Sequence, residues 1–242
     1  RKHYGFDSVG LGYKLQIPII GRIIKYFADK MIQSTKTPTN PFDPSGHFGQ
    51  VVPLDDAIAI LDNCACEPII QKYCMCRYMH RGEKEACCIN FGIMSEIIGK
   101  LPRFIPDDSK FYLTREEAIE RFTEHNKKGY IGTIWYGPYP YINNLCSCET
   151  PVCAGIRQRT QFGIETIFKA EYVASIDQDL CQGCKLCMEK CQFNALEYNS
   201  STQRMEVNQK KCFGCGVCLH ECPNNALHLK ARNEIPSLKE KY

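Results

Sequence analysis

The 242-residue chain has no cysteine before Cys64 and none after Cys222, yet it holds seventeen from the one to the other. An odd, uneven set in a chain long enough to bury a core is not a disulfide scaffold, which small secreted domains use in place of one. A long apolar run is also missing. The most apolar stretch, LQIPIIGRIIKYFADKMI, is broken by Arg22, Lys25, Asp29 and Lys30 and falls short of the roughly 18 apolar residues that read as a membrane span. It does not read as a signal peptide either. The charges nearly cancel, with 30 Lys and Arg against 27 Asp and Glu, so nothing argues for nucleic acid, and no helix carries the basic flanks of a nucleic-acid regulator. No dinucleotide glycine fingerprint, P-loop or nucleophile elbow is present, which excludes nicotinamide, flavin or nucleotide binding by those routes. The first residue is Arg1 rather than methionine, which leaves room for residues upstream.

What is present divides into two units or one large one. Residues 18 to 31 place Ile19, Ile20, Ile23, Ile24, Phe27 and Met31 on one side of an amphipathic helix. Such a stripe packs on the protein's own core or a partner subunit, with peripheral membrane contact as the lesser alternative. Prolines 38, 41 and 44 make the following stretch an extended linker, so 1–46 reads as helix plus linker. A helix is expected at PLDDAIAILDN, opened by Pro53. LTREEAIERFTEHNKKG is the clearest helix of the chain: Thr114 and Glu117 make a capping box, Ala118, Ile119 and Phe122 the buried stripe, and Gly129 the left-handed end. Residues 130 to 136 read as a strand. The expected fold class is α+β: a cysteine-rich α/β domain over 47–170, then 171–230, then a tail over 231–242.

The end of the chain is duplicated. QDLCQGCKLCMEKCQFNAL aligns on QKKCFGCGVCLHECPNNAL with a period of 31 residues, matching the first Gln, four cysteines, a glycine and Asn-Ala-Leu. Each half is C-x2-C-x2-C-x3-C, the spacing that holds 4Fe-4S clusters, in which three thiolates of one loop reach one cube and the fourth crosses to the other. One cluster then takes Cys181, Cys184, Cys187 and Cys222, and the second takes Cys212, Cys215, Cys218 and Cys191. The fourth cysteine is expected to open a short helix. Leu186, Val217, Phe193, Ala195 and Ala226 are expected to shield the sulfurs, and residues 195 to 208 to form a hairpin. On these residues 171–230 resembles a two-cluster bacterial-type ferredoxin domain. The departure is Gln192, where that family usually follows the fourth cysteine with proline, as Pro223 does here, and a looser turn is expected there.

Nine cysteines remain, as CAC at 64–66, CMCR at 74–77, CC at 87–88 and LCSCETPVC at 145–153. Pairs one residue apart turn both side chains the same way on a loop or a strand. With the LTREEA helix between them, residues 51–160 resemble the cysteine-rich region that precedes a ferredoxin unit in multi-cluster iron-sulfur proteins of anaerobic bacteria and archaea. The CAC is not part of that pattern. Cys74, Cys76, Cys146, Cys148 and Cys153, with Cys88 next, are the candidates for one further cluster; nine cysteines would suffice for two, and zinc suits the same soft ligands. Arg77 is weighed as a donor to a cluster sulfur against an ordinary surface arginine, and His47 and His80 read as ordinary residues.

These features together imply a cytoplasmic electron-transfer protein. It is read as the relay subunit of an anaerobic oxidoreductase complex, with redox proteins as partners, no nucleic acid, and no catalytic residue assigned. The alternative is a reductase whose upstream cysteines carry a catalytic cluster fed by the ferredoxin unit.

Overall fold

The computed structural model describes residues 17–36, 49–100, 107–136 and 142–238. His47 and the proline-spaced residues 37–46 lie outside these ranges. The amphipathic segment forms α1 (Ile20–Lys36), which ends five residues past the expected helix and reaches into the stretch read as linker. Gly21 is buried, whereas Ile19, Ile23 and Phe27 are exposed.

Seven strands make the main sheet: β1 (Gly49–Val51), β2 (Ile69–Tyr73), β3 (Ala86–Asn90), β4 (Lys110–Leu113), β5 (Ile131–Tyr136), β6 (Ile142–Cys148) and β7 (Ile167–Phe168). Their order is β4-β2-β3-β6-β5-β1-β7, antiparallel except where β1 meets β7. Between them run α2 (Leu54–Cys64), α3 (Met75–Arg81), α4 (Ile93–Gly99), α5 (Arg115–Lys127) and α6 (Ala154–Phe162). In α5 each local signal is realised. Glu117 N–H donates to Thr114 Oγ1 and Thr114 N–H donates to the Glu117 carboxylate, satisfying two first-turn amides. Gly129 closes the turn at φ 99°.

Strand alternation splits the sheet chemically. On one face Ile89, Ile134 and Leu145 pack with Ala57 and Leu61 of α2 and Ala118 and Phe122 of α5. On the other, Val51, Ile131, Cys88, Cys146 and Cys148 pack with Ile156 of α6 and with Phe213 from the C-terminal region. That region is small: β8 (Tyr172–Ile176) pairs with β11 (Leu227–Ala231), and β9 (Leu196–Asn199) with β10 (Arg204–Val207), the expected hairpin. Arg232, fully buried, donates from Nε to Ala170 O and from Nη2 to Tyr172 O at 2.8 Å. The fold is therefore mixed α+β, a seven-stranded mixed sheet followed by a small C-terminal region.

Candidate iron-sulfur sites

In the C-terminal region the two loops close on two apolar spaces. One is lined by Cys191, Cys212, Cys215 and Cys218 together with Phe193, Phe213 and Val217. The other is lined by Cys181, Cys184, Cys187 and Cys222 with Ile176, Met205 and Leu227. Each space thus gathers three cysteines of one repeat and the last cysteine of the other. Backbone amides point at the sulfurs: Ala174 N–H to Cys212 Sγ (3.4 Å), Ala195 N–H to Cys191 Sγ (3.3 Å) and Ala226 N–H to Cys222 Sγ (3.2 Å). Burial pushes the Cys187 thiol up to about 11 and the Cys215 thiol up to about 12. Such thiols ionise readily only against a metal's positive charge. Concave apolar walls, eight sulfurs and amides aimed at them fit an anionic inorganic core.

Two details differ from expectation. The fourth cysteine closes a helical turn rather than opening one: Cys191 caps α7 (Leu186–Lys190), and Cys222 ends the 3-10 turn Val217–Glu221. The preceding turn is what carries the third cysteine and swings the fourth toward the other loop. Val217, Ala195 and Ala226 are buried and Phe193 is half-buried, but Leu186 stands exposed while its neighbour Cys187 points inward. Gly183 and Gly214 have φ of 66° and 74°.

Gln192 does not loosen its turn. Its Oε1 accepts from Thr150 N–H at 2.7 Å and its Nε2 donates to Gly129 O at 2.6 Å. It therefore ties the end of α7 to the loops after β6 and α5. A second tie joins His220 Nε2 to Asn126 Oδ1 of α5 at 2.8 Å.

Upstream, six cysteines meet on the inner face of the sheet. Register places Cys88 of β3 opposite Cys146 of β6, with the sulfurs 3.0 Å apart. Cys148 lies two residues on, Cys74 is the N-cap of α3 and Cys153 the N-cap of α6. Cys74, Cys88, Cys146, Cys148 and Cys153 share one buried cluster with Cys76 packed against it, and each thiol acts electrostatically on two others of the six, so the group is a ring of thiols. Hydrogen bonds from Cys76 and Cys88 pull the Cys74 thiol down. The Cys76, Cys148 and Cys153 thiols rise, mainly through the bonds they share with Cys153, Cys146 and Cys148 respectively, and also through burial. Polar groups also reach the ring: Asn144 Nδ2 donates to Cys146 Sγ at 3.2 Å, Arg77 N–H to Cys74 Sγ at 3.5 Å, and the Thr133 hydroxyl lies 3.2 Å from Cys148 Sγ.

Of the other three upstream cysteines, Cys87 shares the buried cluster of the ring cysteines. Cys64 and Cys66 are exposed. Cys87 lies with Glu85 and His125, their ligand atoms within 4.8 Å of one another. That trio escaped the sequence reading, and its members have partners. Glu85 pairs with Arg77 and accepts from Tyr130 Oη at 3.0 Å, and His125 Nδ1 meets Ser147 Oγ at 3.2 Å. The Arg77 guanidinium is buried between Glu85, Glu149 and Tyr130, and its backbone amide donates to Cys74 Sγ. His80 is exposed.

No helix among the described residues is long and apolar enough to cross a membrane. A search of curated proteins finds no match to the chain. Residues 174–229, which enclose both four-cysteine spaces, match the family model of a 4Fe-4S dicluster domain. The chain therefore carries, behind a cysteine-rich upstream region, a 4Fe-4S dicluster domain, and with it two 4Fe-4S clusters.

Proposed function

We propose that the protein transfers single electrons as the relay subunit of a larger oxidoreductase complex working under anaerobic conditions. Cys181, Cys184, Cys187 and Cys222 hold one cluster, and Cys191, Cys212, Cys215 and Cys218 the other. The observation that carries this reading is the pair of four-cysteine spaces within the dicluster match, each built from both repeats. Two clusters so interlocked are ordered together, and burial in an apolar wall with amides on sulfur sets the potential at which each accepts an electron. Cys184 is exposed on the outer loop, beside the exposed side chains of Leu180, Leu186 and Met188. This side of the first cluster suits a redox protein docking there. The exposed stripe of α1 supports a further subunit as its cover.

The test is stopped-flow mixing of the anaerobically reduced full chain with a one-electron acceptor. Reoxidation of both clusters, one electron each, within the mixing experiment supports the reading. Clusters that bleach or stay reduced in excess acceptor would contradict it.

A further inference from the structure

The six-thiol ring holds more sulfur than one tetrahedral ion uses, since a structural zinc site closes with four ligands. All six cysteines lie in or against one buried cluster rather than as a four-ligand set with two bystanders, and the Cys88 and Cys146 sulfurs stand 3.0 Å apart. Five are buried, with Cys76 the partial exception. The ligand set is sulfur only, and soft, and the nearby donors from Asn144 and Arg77 suit thiolates carrying negative charge.

Position adds a second, independent argument. Phe213 lines the space of Cys191, Cys212, Cys215 and Cys218, and it also belongs to the buried cluster that contains the ring cysteines. Phe193 lines the same space, packs against the same cluster, and stacks on Phe213 with centroids 4.1 Å apart and planes 10° from parallel. Cys215 touches that cluster as well, whereas none of the residues lining the Cys181 space belongs to it. Gln192, next to Cys191, reaches Thr150, between Cys148 and Cys153. A purely structural ion would need none of this proximity.

We infer that Cys74, Cys76, Cys88, Cys146, Cys148 and Cys153 together take one polynuclear iron-sulfur centre, and that the Phe193–Phe213 stack joins it to the Cys212 site. The inference rests on the dicluster domain being the electron carrier proposed above. The order is linear. A reduced one-electron redox protein docked beside Cys184 gives up one electron and is oxidised. With iron-sulfur centres held by these residues, that electron would reduce the Cys181 centre, then pass to the Cys212 centre as the first is reoxidised, and finally reduce the iron of the centre held by the six cysteines by one electron. No proton or bond change is required.

The test uses the full chain, purified anaerobically, with iron, sulfide and zinc measured per chain and paramagnetic resonance recorded on the reduced protein. Two 4Fe-4S clusters account for eight irons. The expected result is iron beyond eight, little zinc, and a third signal magnetically coupled to that of the Cys212 site. Cys146→Ser/Cys148→Ser should remove the excess iron and the third signal. The loss of iron from parent to variant decides the inference, and the iron left in the variant decides the dicluster ligation, so the two can fail separately. If the variant loses no iron, or the ring cysteines hold zinc, the inference is overturned. Should the variant not fold, the unmodified chain still decides: eight irons with stoichiometric zinc, or a third centre with no coupling to the Cys212 site, overturns it.

Discussion

Gly214→Ala should damage the dicluster domain far more than Gly216→Ala, although both glycines have nearly the same backbone conformation, φ 74° and 75°. Either alanine must adopt a left-handed conformation, which costs roughly 1–2 kcal/mol. At Gly216 the new methyl would meet Leu229 Cδ1 at 3.5 Å and Pro53 Cβ at 3.6 Å, ordinary contacts, so the cost stops there. The first repeat supports this, because Lys185 occupies the equivalent position at φ 68°. At Gly214 the methyl would stand 2.1 Å from Tyr172 O, a backbone atom that cannot swing aside. Moving that carbonyl strains β8 and weakens the bond it accepts from buried Arg232. Overpacking of this kind adds about 1–3 kcal/mol, so Gly214→Ala should cost about 2–5 kcal/mol against about 1–2 for Gly216→Ala. The assay is the visible iron-sulfur absorption retained by each variant in rising urea under anaerobic conditions. Equal losses for the two variants would refute the reasoning, since the close approach at Tyr172 O is all that separates them.

Cys191→Ser should remove the cluster of the Cys212 loop and spare the one on its own loop, as read by paramagnetic resonance. Gln192→Ala strips partners from Thr150 N–H and Gly129 O, and each group left unpaired costs about 1–3 kcal/mol where buried. Faster hydrogen exchange at Thr150, with iron content unchanged, is the expected sign. Thr114→Ala removes the capping box of α5 and should cost about 1 kcal/mol by denaturation. Replacing Ile23 and Phe27 with aspartate should release the protein from its complex without loss of iron, as measured by anaerobic gel filtration; loss of iron instead would place the stripe in the protein's own core.

Much of the chain was legible because its signals are local. The capping box, Gly129 and the stripe of α5 lie within sixteen residues of one another, and the duplicated motif writes its ligand spacing into two short loops. The ring was legible only as a set of candidates. C-x-C spacing lets two sulfurs face one way, but it is the register of β3 against β6 that brings Cys88 to Cys146, fifty-eight positions later. The same limit explains Cys64 and Cys66, which share that spacing but end exposed, at the last residue of α2 and just after it. Gln192 was misread because its value is tertiary: the side chain that replaces proline bonds to backbone over forty residues away. Buried Arg77 and Arg232 likewise have partners that no window of sequence could supply. The helical turns that end at Cys191 and Cys222 are shorter than any periodicity can reveal.

The central claim is that this chain carries two redox-active 4Fe-4S clusters in residues 174–229. A reductive titration of the anaerobically purified full chain, with iron and sulfide counted on the same sample, tests it most directly. The account predicts at least eight irons per chain and two one-electron reductions whose signals are those of 4Fe-4S clusters. Fewer than about six irons after careful reconstitution, or eight irons with no reducible signal, would contradict it, because the duplicated motif specifies ligands for two complete cubes.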